Sequence, residues 1–227
     1  MKKPKRANWQ DLFFVIGTAC FFFSCIATTL QVAKTNEPGE VEMSAGYMQG
    51  RNYEEFDASP LQLIGVNGRI GVANNFDMGF EHTFDVSKDN EGMYKTIWGD
   101  AKYQITNHND ELKKLTFSSG LLKGYLYDKE AKIHMTTLPL YFSSSVSERF
   151  TPTFIYRYEL NSEKFFPDSE SFDNSRHTFS LGFEYYLKQP DPSKWNPKFG
   201  FSIGTNVGNE SNIFLINFGF KFSSPYK

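Results

Sequence analysis

Residues 214–222 read FLINFGFKF, and this stretch decides the fold class of the chain. Every second residue from Phe214 to Phe222 is Phe or Ile, and Asn217, Gly219 and Lys221 stand between them. A period of two places apolar and polar residues on opposite faces of a β-strand. The stretch therefore predicts a strand with one bulky aromatic face and one face of small or polar residues.

The same alternation recurs along the chain after residue 40, where no segment holds the apolar spacing of a helix through three turns. Regular strands are expected at 61–72, 76–86, 151–160, 177–188, 198–207 and 214–222, and less regular ones at 41–50, 93–105, 112–126 and 132–145. Turn-prone residues separate these segments. The pattern predicts about ten consecutive antiparallel strands, with eight as the alternative count.

The polar face of these strands repeatedly carries glycine and serine, as at Gly65, Gly79, Gly182 and Gly200. Small residues suit the interior of a narrow barrel, where side chains converge. The opposite face is rich in Phe, which is too bulky for such an interior and is stable on the outside only in lipid. The sequence therefore predicts an all-β protein, an antiparallel up-and-down transmembrane β-barrel over residues 41–223, with a C-terminal tail at 224–227.

Charged residues on the inward face predict a network of ion pairs in the lumen. Both signs of charge are present, and an unpaired buried charge is costly. The expected network comprises Arg69, Asp77, Glu81, Arg157, Glu159, Glu184, Lys198 and Lys221, with Asp85 and Lys188 on the same face. Because side chains fill so narrow a lumen, a general diffusion pore is not expected.

Aromatic residues towards the strand ends predict the girdles that mark the two membrane interfaces. The expected girdle residues are Trp98, Tyr125, Tyr127, Tyr141, Tyr185 and Trp195.

The N-terminus has the pattern of a secretory signal. Four basic residues within the first six positions precede an apolar run that begins at Leu12, which predicts a signal peptide over residues 1–24. Residues 22–25, FFSC, resemble the lipoprotein box of bacteria, and the resemblance implies lipidation of Cys25. The alternatives are simple cleavage near Ala27 or an uncleaved anchor through Ala33. Residues 25–40 are then expected to form a flexible tether.

Several kinds of chemistry are excluded or left without support by the composition. Both cysteines, Cys20 and Cys25, precede the barrel, which excludes a disulfide scaffold or a cysteine nucleophile in its folded part. The formal net charge is −2, so no basic surface for nucleic acid is expected. The four histidines show no zinc-binding spacing, and neither a metal nor a cofactor is expected.

One pair of residues suggests a hydrolase as an alternative. His134 and Thr136 are two apart on one strand and share a face, as a base and a hydroxyl must. Outer-membrane lipid A deacylases are similar in using a His-x-Ser pair on a small barrel. We expect a protein without enzymatic activity, and this alternative would make His134 the base of a lipid-modifying enzyme.

Two segments resemble the small bacterial outer-membrane barrels of the OmpA/OmpX-type class: residues 65–80, GVNGRIGVANNFDMGF, and residues 217–222, NFGFKF. The resemblance implies a location in the bacterial outer membrane, contact with outer-membrane lipid and insertion by the barrel-assembly machinery.

The expected function is a structural or interaction role, with a protein partner bound through extracellular loops or within an outer-membrane complex. Besides the hydrolase, the remaining alternative is a lipid-tethered soluble barrel that binds an apolar ligand in a Phe-lined interior.

Overall fold

The computed structural model describes residues 31–52, 60–87, 95–106, 115–127, 132–162, 173–208 and 212–225. The predicted signal peptide and Cys25 lie outside these residues. The strands are β1 (Val41–Asn52), β2 (Leu61–Ala73), β3 (Phe76–Asp85), β4 (Lys95–Gln104), β5 (Leu115–Tyr127), β6 (Lys132–Ser144), β7 (Phe150–Ser162), β8 (Asp173–Tyr186), β9 (Asn196–Gly208) and β10 (Asn212–Ser223). The part of the chain that is described contains no helix long and apolar enough to cross a membrane.

The strands form one closed antiparallel barrel in which each strand pairs with its neighbours in sequence. Strand β1 pairs with β10 from Glu42 opposite Ser223 to Asn52 opposite Ile213, so the sheet has no free edge. The prediction of an up-and-down barrel is confirmed, with ten strands rather than eight. We call the end that holds Val41 and Ser223 the terminal end and the opposite end, where β1 finishes and β10 begins, the loop end.

The burial of the strands shows which face is inside. On β10, the side chains of Asn217 and Lys221 are buried, whereas that of Phe220, next to Lys221 along the strand, is 50% exposed. Strand β2 alternates in the same way, with Arg69 buried and Ile70 exposed. The apolar face therefore points outward, as the sequence predicts, and the alternative of a Phe-lined interior does not fit the structure.

Three of the sequence-based assignments to a face or an interface are wrong. Trp98 and Tyr141, expected in the aromatic girdles, point into the lumen with 4% and 1% of their surface exposed. Each occupies one of the alternate positions of its strand that face the lumen. On β4, Thr96 and Asp100, two residues before and after Trp98, are buried in the same way. Lys188, expected in the lumen, is exposed because β8 ends at Tyr186.

Candidate functional site in the barrel lumen

Four charged side chains meet inside the terminal end of the barrel. Lys198 Nζ lies 2.8 Å from Glu42 Oε2 and 3.9 Å from Glu184 Oε2. Lys221 Nζ lies 3.3 Å from Glu42 Oε1 and also pairs with Glu184. Lys198 and Lys221 are directly opposite each other on β9 and β10, and the two glutamates bridge these like charges. We call this group of four the first ion cluster.

A second ion cluster comprises Arg69, Asp77, Asp100 and Lys102 on strands β2 to β4. Arg69 pairs with both aspartates, and Lys102 Nζ lies 3.4 Å from Asp77 Oδ2. Gly79 leaves the space for this contact, because a Cβ at that position would lie 2.6 Å from Asp100 Oδ2 and 2.9 Å from Arg69 Nη2. Both clusters hold two cations and two carboxylates, so neither leaves a formal excess of charge in the lumen.

The two clusters bring together five of the eight lumen residues expected from the sequence. These are Arg69, Asp77, Glu184, Lys198 and Lys221. The other three, Glu81, Arg157 and Glu159, are also buried on the inward face but lie nearer the loop end. Glu159 Oε1 accepts a hydrogen bond from Thr178 Oγ1 at 3.4 Å.

Three members of the clusters were not expected from the sequence: Glu42, Asp100 and Lys102. They lie on β1 and β4, where the alternation of apolar and polar residues is too irregular to assign a face. Every second residue of β4 from Thr96 onward faces the lumen, and applying this alternation to the sequence would have assigned both Asp100 and Lys102 to the lumen.

Residues 31–40 lie against the inner wall of the terminal end, and we call them the plug. The backbone N–H of Ala33 donates to Ser143 Oγ at 2.7 Å, and that of Thr35 donates to Gln104 Oε1 at 3.0 Å. Ala33 has no exposed surface and packs with the buried Tyr141 and Ile155. These ten residues belong to the segment for which the sequence predicts a flexible tether, and side chains of β4 and β6 bind their backbone.

Lys102 links the plug to the second ion cluster. Its Nζ donates to the carbonyl oxygens of Val32 at 3.0 Å and Lys34 at 3.1 Å. Asp77 also binds the plug, because its Oδ2 accepts a hydrogen bond from the backbone N–H of Asn36 at 3.2 Å. The pair Asp77 and Lys102 thus holds the backbone of the plug while remaining within the ion cluster.

Gly71 provides the contact surface for the end of the plug that joins β1. The backbone N–H of Gly39 donates to Gly71 O at 2.8 Å, and that of Gly71 donates to Glu40 O at 2.9 Å. A Cβ on Gly71 would come within 2.8 Å of Asn36 O and closer still to Glu37 O. Only glycine therefore lets the plug approach this wall.

The loop end of the lumen has a different composition, because two apolar clusters occupy it. One cluster consists of Met48, Leu61, Leu63, Ile213 and Leu215, and the other of Trp98, Leu122, Leu126 and Met135. Arg157, Glu159 and Arg176 are buried on the wall between these clusters. Among the residues that the structure describes, side chains rather than a backbone segment thus occupy this half of the barrel.

The residues that suggested a hydrolase lie on the outward face. The His134 ring packs edge-on against that of Tyr125, with 4.6 Å between ring centroids. Thr136 shares the outward parity of β6. Among the outward-facing strand side chains that the structure describes, there is no aspartate or glutamate that could orient a histidine base. Within the same described residues, no three His, Cys, Asp or Glu side chains are grouped so that they could hold a metal ion.

The chain matches none of the protein families with which it was compared. No curated protein matches it. Solved structures do: an outer membrane channel from Pseudomonas putida F1 is 7% identical, with a TM-score of 0.53, covering 87% of this chain and 99% of the channel.

Two further solved structures are each 11% identical to this chain, and in both the match covers 99% of the solved chain. The attachment invasion locus protein Ail of Yersinia pestis covers 82% of this chain with a TM-score of 0.37. The N-terminal β-barrel domain of OprF from Pseudomonas aeruginosa covers 83% with a TM-score of 0.32. The likeness to the Pseudomonas putida channel shows a shared fold, that of outer-membrane β-barrels.

Proposed function

We propose that this chain is a small bacterial outer-membrane β-barrel with a structural or interaction role, whose lumen is closed by its own residues. One observation carries the proposal: the barrel is apolar outside, while its lumen holds two ion clusters and the plug. The terminal end faces the periplasm, as is usual for barrels with an even number of strands. The loop end then faces the exterior, where the loops would contact a protein partner.

The outward surface supports insertion into a bilayer. Leu181 is 61% exposed, and the stacked pair Phe117 and Phe142 lies outward with 4.6 Å between ring centroids. Each of the ten strands carries at least one large apolar side chain with more than a third of its surface exposed, and monomeric soluble proteins rarely expose a continuous apolar surface of this kind. A hydrocarbon environment removes this cost, and the strands of 10 to 14 residues are long enough to cross it.

Membrane fractionation combined with a test of detergent dependence examines this part of the proposal. We expect the mature protein to stay with the membrane after a carbonate wash and to need detergent for extraction. The folded barrel should migrate faster than the boiled protein on an SDS gel. A mature chain that is soluble and monodisperse without detergent would overturn the membrane assignment.

The plug and the ion clusters support a closed lumen. A solute that enters from the terminal end meets the backbone of residues 31–40 and, behind it, charges that are already paired. In planar bilayers we expect no large, steady conductance from the full-length mature protein. A steady conductance of the size seen for general porins would contradict the proposal.

A lipid anchor at Cys25 is compatible with the position of the plug. Five residues lie between Cys25 and Gln31, so their Cα atoms are six steps apart, and six extended steps span at most about 20 Å. The plug binds Ser143 and Gln104, which lie within one residue of the terminal ends of β6 and β4, so the anchor would be held near that end of the barrel. The anchor would then hold the plug close to the barrel that binds it.

Metabolic labelling with a fatty acid tests the anchor, and the chain provides a matched control. We expect Cys25→Ser to lose the label and Cys20→Ser to retain it, because Cys20 lies within the predicted signal peptide. Equal labelling of both variants would count against Cys25 as the lipidated residue. A mature N-terminus at residue 28, or an intact residue 1, would support simple cleavage or an uncleaved anchor instead.

The proposal also includes the absence of enzymatic activity. No carboxylate was found beside His134 among the described outward-facing side chains, and its ring is packed against Tyr125. We expect the lipid composition of cells that produce the His134→Ala variant to match that of cells producing the original protein. A lipid species that accumulates only with the variant would favour the hydrolase.

Insertion by the barrel-assembly machinery is the last part of the proposal. Strand β10 presents Phe218, Phe220 and Phe222 outward and closes the barrel against β1. Depletion of the machinery should leave the chain unfolded in the periplasm. Normal heat-modifiable migration under depletion would show a different route of insertion.

A further inference from the structure

One charged side chain stands apart on the outward surface of the barrel. Lys123 faces outward and is exposed, four residues before β5 ends at Tyr127. The other charged outward side chains that the structure describes on the strands, Arg51 and Lys95, lie within one residue of a strand end. Lys123 is thus the charged residue that reaches furthest into the lipid-facing surface in the described part of the chain.

The depth of Lys123 indicates what its ammonium group contacts. Four residues at about 3.3 Å each, in strands tilted by about 40°, place its Cα roughly 10 Å below the loop end. A lysine in hydrocarbon extends its flexible side chain towards the interface. The ammonium group therefore reaches the level of Tyr125 and Tyr127, the aromatic residues that border the head groups.

The surroundings of Lys123 are open and rich in hydrogen-bond donors. Gly99 lies opposite it on β4, with no atom within 4 Å of the position of a Cβ, and Thr136 lies opposite it on β6. At the loop end, Lys95 of β4 lies opposite Tyr127 of β5 in the strand register. On the outward face, Lys123 therefore lies between the open position at Gly99 and Thr136, and Lys95 and Tyr127 lie nearer the loop end of the same strands.

This combination of residues is local to strands β4 to β6. On β9 and β10 the outward side chains near the loop end carry no charge, as Val207, Phe214 and Ile216 show. No carboxylate is present among the outward-facing strand side chains that the structure describes, so none of these can neutralise Lys123. An anion that binds Lys123 would therefore come from outside the described strand side chains.

We propose that Lys123, together with Lys95, Tyr125 and Thr136, binds the phosphate group of a phosphorylated lipid in the leaflet at the loop end. A phosphate at the depth of the girdle complements the two ammonium groups, and charge-assisted hydrogen bonds are the strong ones. The acyl chains of the lipid would lie on the outward face of β4 at Gly99. This inference rests on the membrane insertion proposed above and assigns a lipid site to the barrel.

Native mass spectrometry of the full-length mature protein in a neutral detergent tests the site. The probes are lipid A with both phosphates, the same glycolipid without phosphates, and inorganic phosphate as a competitor. We expect the original protein to retain one phosphorylated lipid, and Lys123→Ala to reduce its occupancy about tenfold, as for the loss of one charged hydrogen bond. Lys123→Arg should retain the lipid.

The matched control is Lys194→Ala, which removes an exposed lysine beyond the opposite end of the barrel. It should not change lipid retention, and inorganic phosphate should not displace the lipid. Equal retention by Lys123→Ala, or equal retention of the glycolipid without phosphates, would overturn the inference. So would a dimer that depends on Lys123 and forms without lipid.

Heat-modifiable migration of every variant separates this inference from the proposal on which it rests. A folded, detergent-dependent barrel with unchanged lipid retention would refute the lipid site alone. A chain that is soluble without detergent would refute both.

Discussion

The two ends of the lumen contain different kinds of interaction. At the terminal end, two ion clusters and the plug make directional contacts, such as those of Lys102 with Val32 O and Lys34 O. At the loop end, apolar side chains such as Met48 and Leu215 pack together in clusters, beside a smaller group of buried polar residues that includes Glu159. Hydrophobic contact is non-directional and tolerates exchange of similar side chains, whereas a buried charge that loses its partner does not. The terminal end should therefore be the less tolerant of the two.

The largest effect is expected at the terminal end, from Asp77→Ala. Asp77 pairs with Arg69 and Lys102 and accepts a hydrogen bond from the plug at Asn36. Its removal leaves buried cations short of a partner, and such losses cost about 3–5 kcal/mol of folding free energy. Urea unfolding in detergent, followed by heat-modifiable migration, measures the change.

A double variant separates the loss of the pair from the presence of an orphaned charge. Arg69→Met combined with Asp77→Ala removes one cation that Asp77→Ala leaves short of a partner, although it also takes Arg69 from Asp100. The double variant should therefore lose less stability than the sum of the two single variants. If the double variant is as unstable as the sum of the two single variants, Arg69 and Asp77 are not coupled. The greater sensitivity of the terminal end would then have no electrostatic basis.

Sequence reasoning predicts the wall of the barrel better than its contents. The inward face of β9 and β10 follows from strict alternation, so Lys198 and Lys221 could be assigned to the lumen. The plug could not, because residues 31–40 have no periodicity and are held by single contacts from distant strands, such as Ser143. The choice of Glu42 as the shared partner of both lysines depends on the closure of β1 against β10, which no local pattern encodes.

The loop end provides the next largest effect, from Leu215→Ala. Leu215 has no exposed surface and packs with Met48 and Leu63 on the neighbouring inner wall. Truncation of a buried leucine costs about 2–5 kcal/mol, and a barrel that relaxes around the cavity falls near the lower value. The volume-conserving Leu215→Met should cost less than about 1.5 kcal/mol. A Met variant as unstable as the Ala variant would show that this end is not tolerant.

A smaller change in stability, but a change in permeability, is expected from Gly71→Ala. The added Cβ cannot coexist with the carbonyl groups of Asn36 and Glu37, so it should displace the plug at a cost of about 1–2 kcal/mol. Planar-bilayer recordings should then show brief openings that the original protein lacks. Gly68→Ala is the matched control on the same strand, because no atom lies within 4 Å of its Cβ position. Openings in both variants, or in neither, would show that the plug does not close the terminal end.

The smallest effect is expected from Glu40→Gln, at the junction of the plug and β1. Burial raises the pKa of the Glu40 carboxyl above its ordinary value of 4.5, although its Oε2 accepts a hydrogen bond from the Glu37 backbone at 3.0 Å. Because the folded state then binds this proton more tightly than the unfolded state, stability falls as the pH rises from about 4.5 through the raised pKa. The Gln variant retains an acceptor but cannot ionise. It should be more stable than the original at pH 7, by no more than about 0.5 kcal/mol, and the difference should vanish near pH 4. A variant that is less stable at pH 7, or a difference that persists at pH 4, would mean that the ionised carboxylate contributes to holding the plug, as it does in the ion clusters beside it.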